Sequence, residues 1–286
     1  MTNHESADVV LGQRNTVDPL VSIVVPALNE ALNVAVVLPL LPQVHEVILV
    51  DGGSVDGTVQ SARRARPDIV AVLQTRSGRG NALAAGFARV TGDIVVTFDA
   101  DGSCDPAEIE RFVDALKAGA DFAKGSRNRP GGGWARTGTL RSLGNGLLNG
   151  AFNLAFRAGY TDLGYGFNAF WADLLPLLDL PDHTQPVPAP GRRVWGDGFE
   201  IETVLCCRFA SARVSITEVP SVERSRMFGE PHLHLVSHGL RMVRTLVTEW
   251  RRARGTRRLE RRLDVTVAEP SEAGRGAHRA SPRHAA

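Results

Sequence analysis

The chain has 286 residues, 43% hydrophobic and 22% charged, with a formal net charge of +2, a profile that suits a globular protein with a sizeable core. Three cysteines, two of them adjacent at Cys206 and Cys207, exclude a disulfide framework or a zinc-ligand spacing and fit a reducing, cytosolic setting. No secretory leader pattern opens the chain and no apolar run is long enough to cross a bilayer, while nine arginines against Glu249 and Glu260 between Arg241 and Leu263 leave the remainder acidic.

Residues 1–19 are polar and aperiodic and read as a loose tail. Val21–Val25, Glu46–Val50, Ile69–Leu73 and Ile94–Phe98 read as buried strands. Helical patterns lie between them at Asn29–Leu41, Asp56–Ala65 and Asn81–Val90. This alternation predicts an α/β fold, a Rossmann-like, mostly parallel sheet with helices on both faces, whose ligands bind beyond the carboxyl ends of the strands. Asp105, Pro106 and Glu108 form a capping-box start for a helix running to Ala118. Asp121–Gly125 reads as a short strand, Asn128–Gly138 as a Gly- and Arg-rich loop, and Leu140–Phe156 as a helix. Asp182–Arg193, with three prolines, is an irregular insertion, and Val214–Val219 a late strand. Leu240, Val243, Val247 and Trp250 fall on one face of a final basic helix. The domain reading is therefore a tail over 1–19, one α/β domain over 20–237, an amphipathic basic helix over 238–263 and a disordered tail over 264–286.

Polar residues collect at the predicted strand ends. The first strand runs into Pro26-Ala27-Leu28-Asn29-Glu30, and the second into Asp51-Gly52-Gly53-Ser54-Val55-Asp56-Gly57-Thr58. Ser77-Gly78-Arg79-Gly80 follows the third, and Asp99-Ala100-Asp101 ends the fourth. Two carboxylates one residue apart, followed by Gly102 and Ser103, suit Mg²⁺ or Mn²⁺, which commonly bind substrate phosphates as well. The plain alternative is a solvated strand end before a helix start. Asp56 reads as an N-cap before a ligand, and Arg79 as either a diphosphate contact or a surface turn residue. No Walker A spacing is present, and no Gly-x-Gly-x-x-Gly follows the first strand, which argues against a dinucleotide dehydrogenase.

Pro-Ala-Leu-Asn-Glu at 26–30, Val-Asp-Gly-Gly-Ser-Val-Asp-Gly-Thr at 50–58, Gly-Arg-Gly-Asn-Ala at 78–82, Asp-Ala-Asp at 99–101 and Gly-Ser-Arg at 125–127 occur in this order. Thr-Asp-x-x-x-Gly-Phe at 161–167 and Arg-x-x-Gly at 226–229 complete the series. Together they resemble the family 2 glycosyltransferases of GT-A fold, in particular the polyprenyl- and dolichyl-phosphate mannosyltransferase branch.

The resemblance implies an inverting hexosyl transfer from a nucleotide diphosphate sugar, GDP- or UDP-linked, to a polyprenyl phosphate. It implies donor contacts from Pro26, Asn29, Glu30, Asp51, Arg79 and Asp99, and a Mg²⁺ or Mn²⁺ ion at Asp99 and Asp101. Ser103 stands where the branch often has a metal-binding glutamine and is the third metal-ligand candidate, and Gly52 stands where family members often carry a second aspartate. Arg127, Arg141, Asn145 and Arg226 match acceptor- or phosphate-binding positions, since guanidinium suits bidentate phosphate binding. Asp162 and Asp197 are base candidates if the acceptor is a hydroxyl, or else order the acceptor loop; a phosphate acceptor is already an anion and needs no base. The alternatives are the same chemistry on a hydroxyl of a soluble acceptor and a non-catalytic nucleotide-sugar binder. The basic helix adds a possible anionic membrane partner at the inner face of the cell membrane. Nucleic acid is excluded as a partner, because no binding motif accompanies the arginines.

Overall fold

Val and Ile dominate the apolar runs, and such side chains fill both faces of a covered parallel sheet. The computed structural model describes residues 14–134, 139–189, 194–230 and 235–267, and the chain divides into the units Met1–Trp250 and Arg251–Ala286. The first half alternates β1 (Val21–Ala27), α1 (Ala31–Val37), β2 (Glu46–Asp51), α2 (Thr58–Ala65), β3 (Val70–Leu73), α3 (Arg79–Phe87) and β4 (Ile94–Thr97). There follow α4 (Ile109–Lys117), β5 (Phe122–Ser126), β6 (Gly133–Trp134), α5 (Thr139–Phe156) and β7 (Asn168–Trp171). The chain continues with α6 (Ile201–Ala212), β8 (Ile216–Pro220), β9 (Val222–Glu223) and α7 (Leu235–Val267).

One seven-stranded sheet has the order β3-β2-β1-β4-β7-β5-β8. Its pairs are parallel except where β7 meets β4 and β5. The α/β reading therefore holds, and the sequence-based account lacked β7. That strand is only Asn-Ala-Phe-Trp, too short and too polar at its start to stand out. A two-stranded pair of β6 and β9 lies apart from the main sheet.

Several local expectations change. Arg14 binds Asp173 at 2.8 Å and Asp121 at 2.5 Å and lies over the Trp171 ring, so the folded body begins inside the expected 1–19 tail. Asp105 caps as expected, accepting from the Ala107 N–H at 3.1 Å. Glu108 does not close a capping box; it is buried and accepts from the Ser221 hydroxyl and the Val222 N–H. On α7 the stripe of Leu240, Val243 and Val247 faces outward and a second stripe faces inward. Met242, Thr245, Leu246 and Glu249 are buried, whereas Leu240, Val243 and Val247 are 70%, 48% and 43% exposed. Glu249 receives Arg208 of α6 at 3.1 and 3.0 Å, so a buried ion pair fixes which face turns inward. Residues 268–286 of the expected disordered tail lie outside the described residues.

Candidate active site

The carboxyl ends of β1, β2 and β4 lie side by side, because β1 is central and pairs with both others. Asn29 has φ +56° and turns the chain sharply after Leu28; Asn tolerates this left-handed region better than most residues. Its Oδ1 accepts from the Val55 N–H at 3.0 Å, and its own N–H donates to Ser54 Oγ at 2.9 Å. Asn29 thus ties the β1 turn to the β2 turn. Pro26 lies within β1 beside Val50 of β2.

Asp51 is buried at the end of β2. Its Oδ2 accepts from the N–H groups of Gly53 and Ser54 at 3.1 Å each, whereas Oδ1 is buried without a hydrogen-bond partner. Such an acceptor is costly to leave unmet, and it suits a hydroxyl or N–H donor on a ligand. Glu30 is buried and accepts from Asn33 Nδ2 at 2.6 Å and Arg226 Nη2 at 2.5 Å. Asp56 is not itself the N-cap expected, a position Gly57 holds, but it accepts from the N–H groups of Thr58 at 3.0 Å and Ala31 at 2.9 Å, the first residues of α2 and α1.

At the end of β4, Asp99 and Asp101 are both about a quarter exposed. Arg79 Nη1 stands 2.6 Å from Asp99 Oδ1. Burial, opposed by Arg79 and reinforced by the neighbouring Asp101 and Glu202, pushes the Asp99 carboxyl up to about 6. Asp101 Oδ1 accepts from the Ser103 N–H at 3.0 Å and from its hydroxyl at 2.6 Å. Ser103 thus donates its hydroxyl hydrogen to Asp101 and orients it, while its oxygen lone pairs remain available to a cation. Arg226 Nη1 lies 3.5 Å from Asp101 Oδ2, so this arginine joins the ends of β1 and β4.

Asp99 and Asp101 fit a hard divalent cation as two partly accessible carboxylates, with Asp99 Oδ1 held by Arg79 at 2.6 Å. No cluster of three or more His, Cys, Asp or Glu suited to a metal occurs among the described residues. Two protein carboxylates completed by substrate phosphates and water is the usual arrangement for Mg²⁺.

The acceptor-side expectations need correction. Arg127 is buried, with Nε and Nη2 on the Asp162 carboxylate at 2.6 and 2.7 Å and Nη1 on Glu223 at 3.0 Å. Its guanidinium is sandwiched 3.6 Å from the Trp134 ring and 4.8 Å from the Tyr165 ring. A guanidinium so fully engaged holds the protein together and has no free edge for a phosphate. Asp162 is wholly buried with both oxygens on Arg127, so it has no oxygen to take a proton from an acceptor. Asp197 is likewise buried, paired with Arg76 at 2.6 and 2.9 Å. Both aspartates fit the loop-ordering alternative, and neither fits a general base. Asn145 is half-buried on α5, and Arg141 lies on the same helix with its side chain outside the described residues.

The sequence reading missed three further residues. Arg76 reaches from the turn after β3 to the Asp182 and Gln185 carbonyls at 3.0 and 2.8 Å. Glu202 of α6 accepts from Arg79 Nε at 2.8 Å, and Asn168 of β7 donates to Glu202 at 3.2 Å. An acid in the first turn of an otherwise apolar helix was the available signal for Glu202. The Gly-rich turn shows why its glycines are needed. The Gly80 N–H donates to the Asp197 carbonyl at 2.7 Å, and a Cβ on Gly80 would collide with the Gly196 carbonyl oxygen. Gly80→Ala is expected to destabilise the fold by about 1–3 kcal/mol or more, because backbone and not a flexible side chain must move. An unchanged urea midpoint would refute this.

A model described as Glycosyl transferase family 2 matches residues 22–171. The chain belongs to glycosyltransferase family 2. It is 31% identical over 240 residues to a polyprenol monophosphomannose synthase of Mycolicibacterium smegmatis, covering 80% of this chain and 85% of that protein. It is 33% identical over 176 residues to an undecaprenyl-phosphate 4-deoxy-4-formamido-L-arabinose transferase of Aeromonas hydrophila, covering 57% of this chain and 52% of the relative. The fold is similar to that of glucosyl-3-phosphoglycerate synthase from Mycobacterium tuberculosis, solved with Mn²⁺ and UDP. That match has a TM-score of 0.62 and 23% identity, over 81% of this chain and 80% of that one. The family 2 chain is thus a glycosyltransferase of α/β, GT-A architecture.

Proposed function

We propose that this glycosyltransferase moves a hexose from a GDP- or UDP-linked donor to a polyprenyl phosphate, with inversion at the anomeric carbon. Asp51, Glu30 and Asn29 form the nucleotide side of the site, and Asp99 and Asp101 face the diphosphate with Mg²⁺ or Mn²⁺. When bound there, the cation supplies Lewis-acid neutralisation of the leaving diphosphate. Arg79 and Arg226 add fixed positive charge at the ends of α3 and β4. The observation that carries the choice of acceptor is the engagement of both base candidates, Asp162 and Asp197, in buried ion pairs. A hydroxyl acceptor needs a base; a phosphate monoester attacks as an anion. The similarity to enzymes named for polyprenol and undecaprenyl phosphate supports the same choice. Arg141 and Asn145 of α5 are the remaining acceptor-side residues in this reading.

The test is a panel of UDP- and GDP-sugars with Mn²⁺, with and without polyprenyl phosphate, read as nucleotide release. Lipid-stimulated release with one donor supports the reading. No stimulation by the lipid with any donor overturns it, and stimulation by a soluble sugar instead would favour the hydroxyl alternative.

A lipid acceptor places the enzyme at a membrane surface. No helix among the described residues is long and apolar enough to cross one. Peripheral attachment at the inner face is therefore part of the proposal, through the exposed Leu240, Val243 and Val247 of α7 and the arginines of the basic segment. Leu240→Glu with Val243→Glu is expected to lower binding to vesicles containing anionic lipid at least about tenfold, since two exposed apolar contacts of roughly 1 kcal/mol each are lost and negative charge is added. Co-sedimentation unchanged by the double substitution would remove this surface from consideration.

A further inference from the structure

The first carboxylate of the Asp99–Asp101 pair is held from behind. Arg79 Nη1 lies 2.6 Å from Asp99 Oδ1, and Arg79 Nε donates to Glu202 Oε1 at 2.8 Å. The other oxygen of Glu202 accepts from Asn168 Nδ2 at 3.2 Å. Contacts therefore run from β7 through α6 and α3 to the end of β4, joining four elements that are distant in sequence. Gly166 closes over them, because a Cβ there would stand 2.6 Å from Arg79 Nη2 and 3.2 Å from Glu202 Oε1. Arg79 Nη2 and Asn168 Oδ1 are buried without hydrogen-bond partners. Leaving such atoms unmet is costly, so the contacts that hold these side chains in place must offset it.

We propose that Glu202 is a positioning residue for divalent-cation binding, holding Arg79 beside Asp99 and balancing its charge. The inference rests on the reading of Asp99 and Asp101 as the cation-facing pair. The physical argument is one of competition. Arg79 and a divalent cation both seek Asp99. Glu202 shares the guanidinium, so Arg79 neutralises Asp99 only in part and the pair keeps enough negative charge for the cation. With a neutral residue at position 202, the whole arginine charge turns on Asp99. Glu202→Gln keeps the length of the side chain and an acceptor for Arg79 Nε, so packing is retained while the charge is lost.

The experiment titrates Mn²⁺ alone into the full chain and follows free ion by electron paramagnetic resonance, with thermal midpoints recorded alongside. Glu202→Gln is expected to raise the Mn²⁺ Kd about tenfold, the size usual for a residue behind the ligands, with a midpoint near that of wild type. Glu202→Asp, which keeps the charge, should restore binding to within about threefold, and it serves equally if the glutamine variant does not fold. In an Arg79→Gln background, Glu202→Gln should have almost no further effect, because the two act as one unit. Equal losses with and without Arg79 would overturn the proposal. So would wild-type affinity in Glu202→Gln while Asp101→Asn abolishes binding. Wild-type affinity in Asp101→Asn would overturn the cation-pair reading itself, a distinct result.

Discussion

Asp101→Asn is expected to lower kcat by roughly a thousandfold, the equivalent of about 4 kcal/mol, because leaving-group neutralisation by a Lewis acid is worth several kcal/mol. The substitution keeps an oxygen to accept from the Ser103 N–H and hydroxyl, which meet Asp101 at 3.0 and 2.6 Å, so the turn after β4 keeps its shape. Asp101 also faces Arg226 at 3.5 Å, an exposed-edge contact of small worth, so stability should change little. The measurement is nucleotide release from the productive donor with Mn²⁺, beside donor binding in EDTA. Chelation of the wild type should reproduce the loss, while binding through Asp51 and Glu30 persists. Turnover that survives both the substitution and EDTA would remove the cation from the mechanism.

The second large effect concerns the acceptor side. Asp162→Asn or Asp162→Ala is expected to destabilise the protein by about 3–5 kcal/mol, the usual result of leaving one member of a buried pair uncompensated. Arg127 would keep Glu223 at 3.0 Å but lose both contacts to Asp162. Burial works against ionisation of Asp162, yet the Arg127 guanidinium outweighs it and holds the carboxyl below its ordinary value. With the folded-state pKa lowered, the pair contributes fully above the ordinary carboxylate range. Its contribution is lost as pH falls through the lowered value. Wild-type stability should therefore fall more steeply in acid than that of Asp162→Asn. Urea unfolding at pH 7 and at pH 3 checks both points; equal stability of the two proteins at pH 7 would refute them.

These two predictions mark where the amino-acid sequence was readable and where it was not. Asp51 and Asp99 were legible because a buried strand followed by a Gly-bearing turn gives both the element and its end. Arg127 and Asp162 were legible as a place but not as a pair. They lie 35 residues apart, and nothing local says whether an arginine meets a ligand or a buried carboxylate. Ser103 was read by analogy to a glutamine, and nothing in the sequence showed that its hydroxyl also orients Asp101, two residues before it. On α7 the helical spacing of Leu240, Val243 and Val247 was legible, but which way that stripe faces was not. Periodicity defines a stripe, but Met242 and Leu246 form a second one, and Arg208 meeting Glu249 decides between them. Glu202 stayed hidden because its partners Arg79 and Asn168 come from different elements.

The place of β7 in the sheet has a consequence for the order in which the two halves of the site are built. β1 to β4 form a parallel set complete by Thr97, with β4 as its outer member. β7 is the strand that covers β4, and it also receives β5, which in turn receives β8. The four parallel strands can thus pair before the rest of the sheet exists, whereas Glu30 and Arg79 take their final positions only when Arg226 and Glu202 reach them. The segment carrying Arg127 and Asp162 must wait for β7 to dock. During synthesis the emerging chain would present a parallel sheet whose β4 edge is still uncovered, and that interval is the time at which the polypeptide is most open to pairing with a second chain.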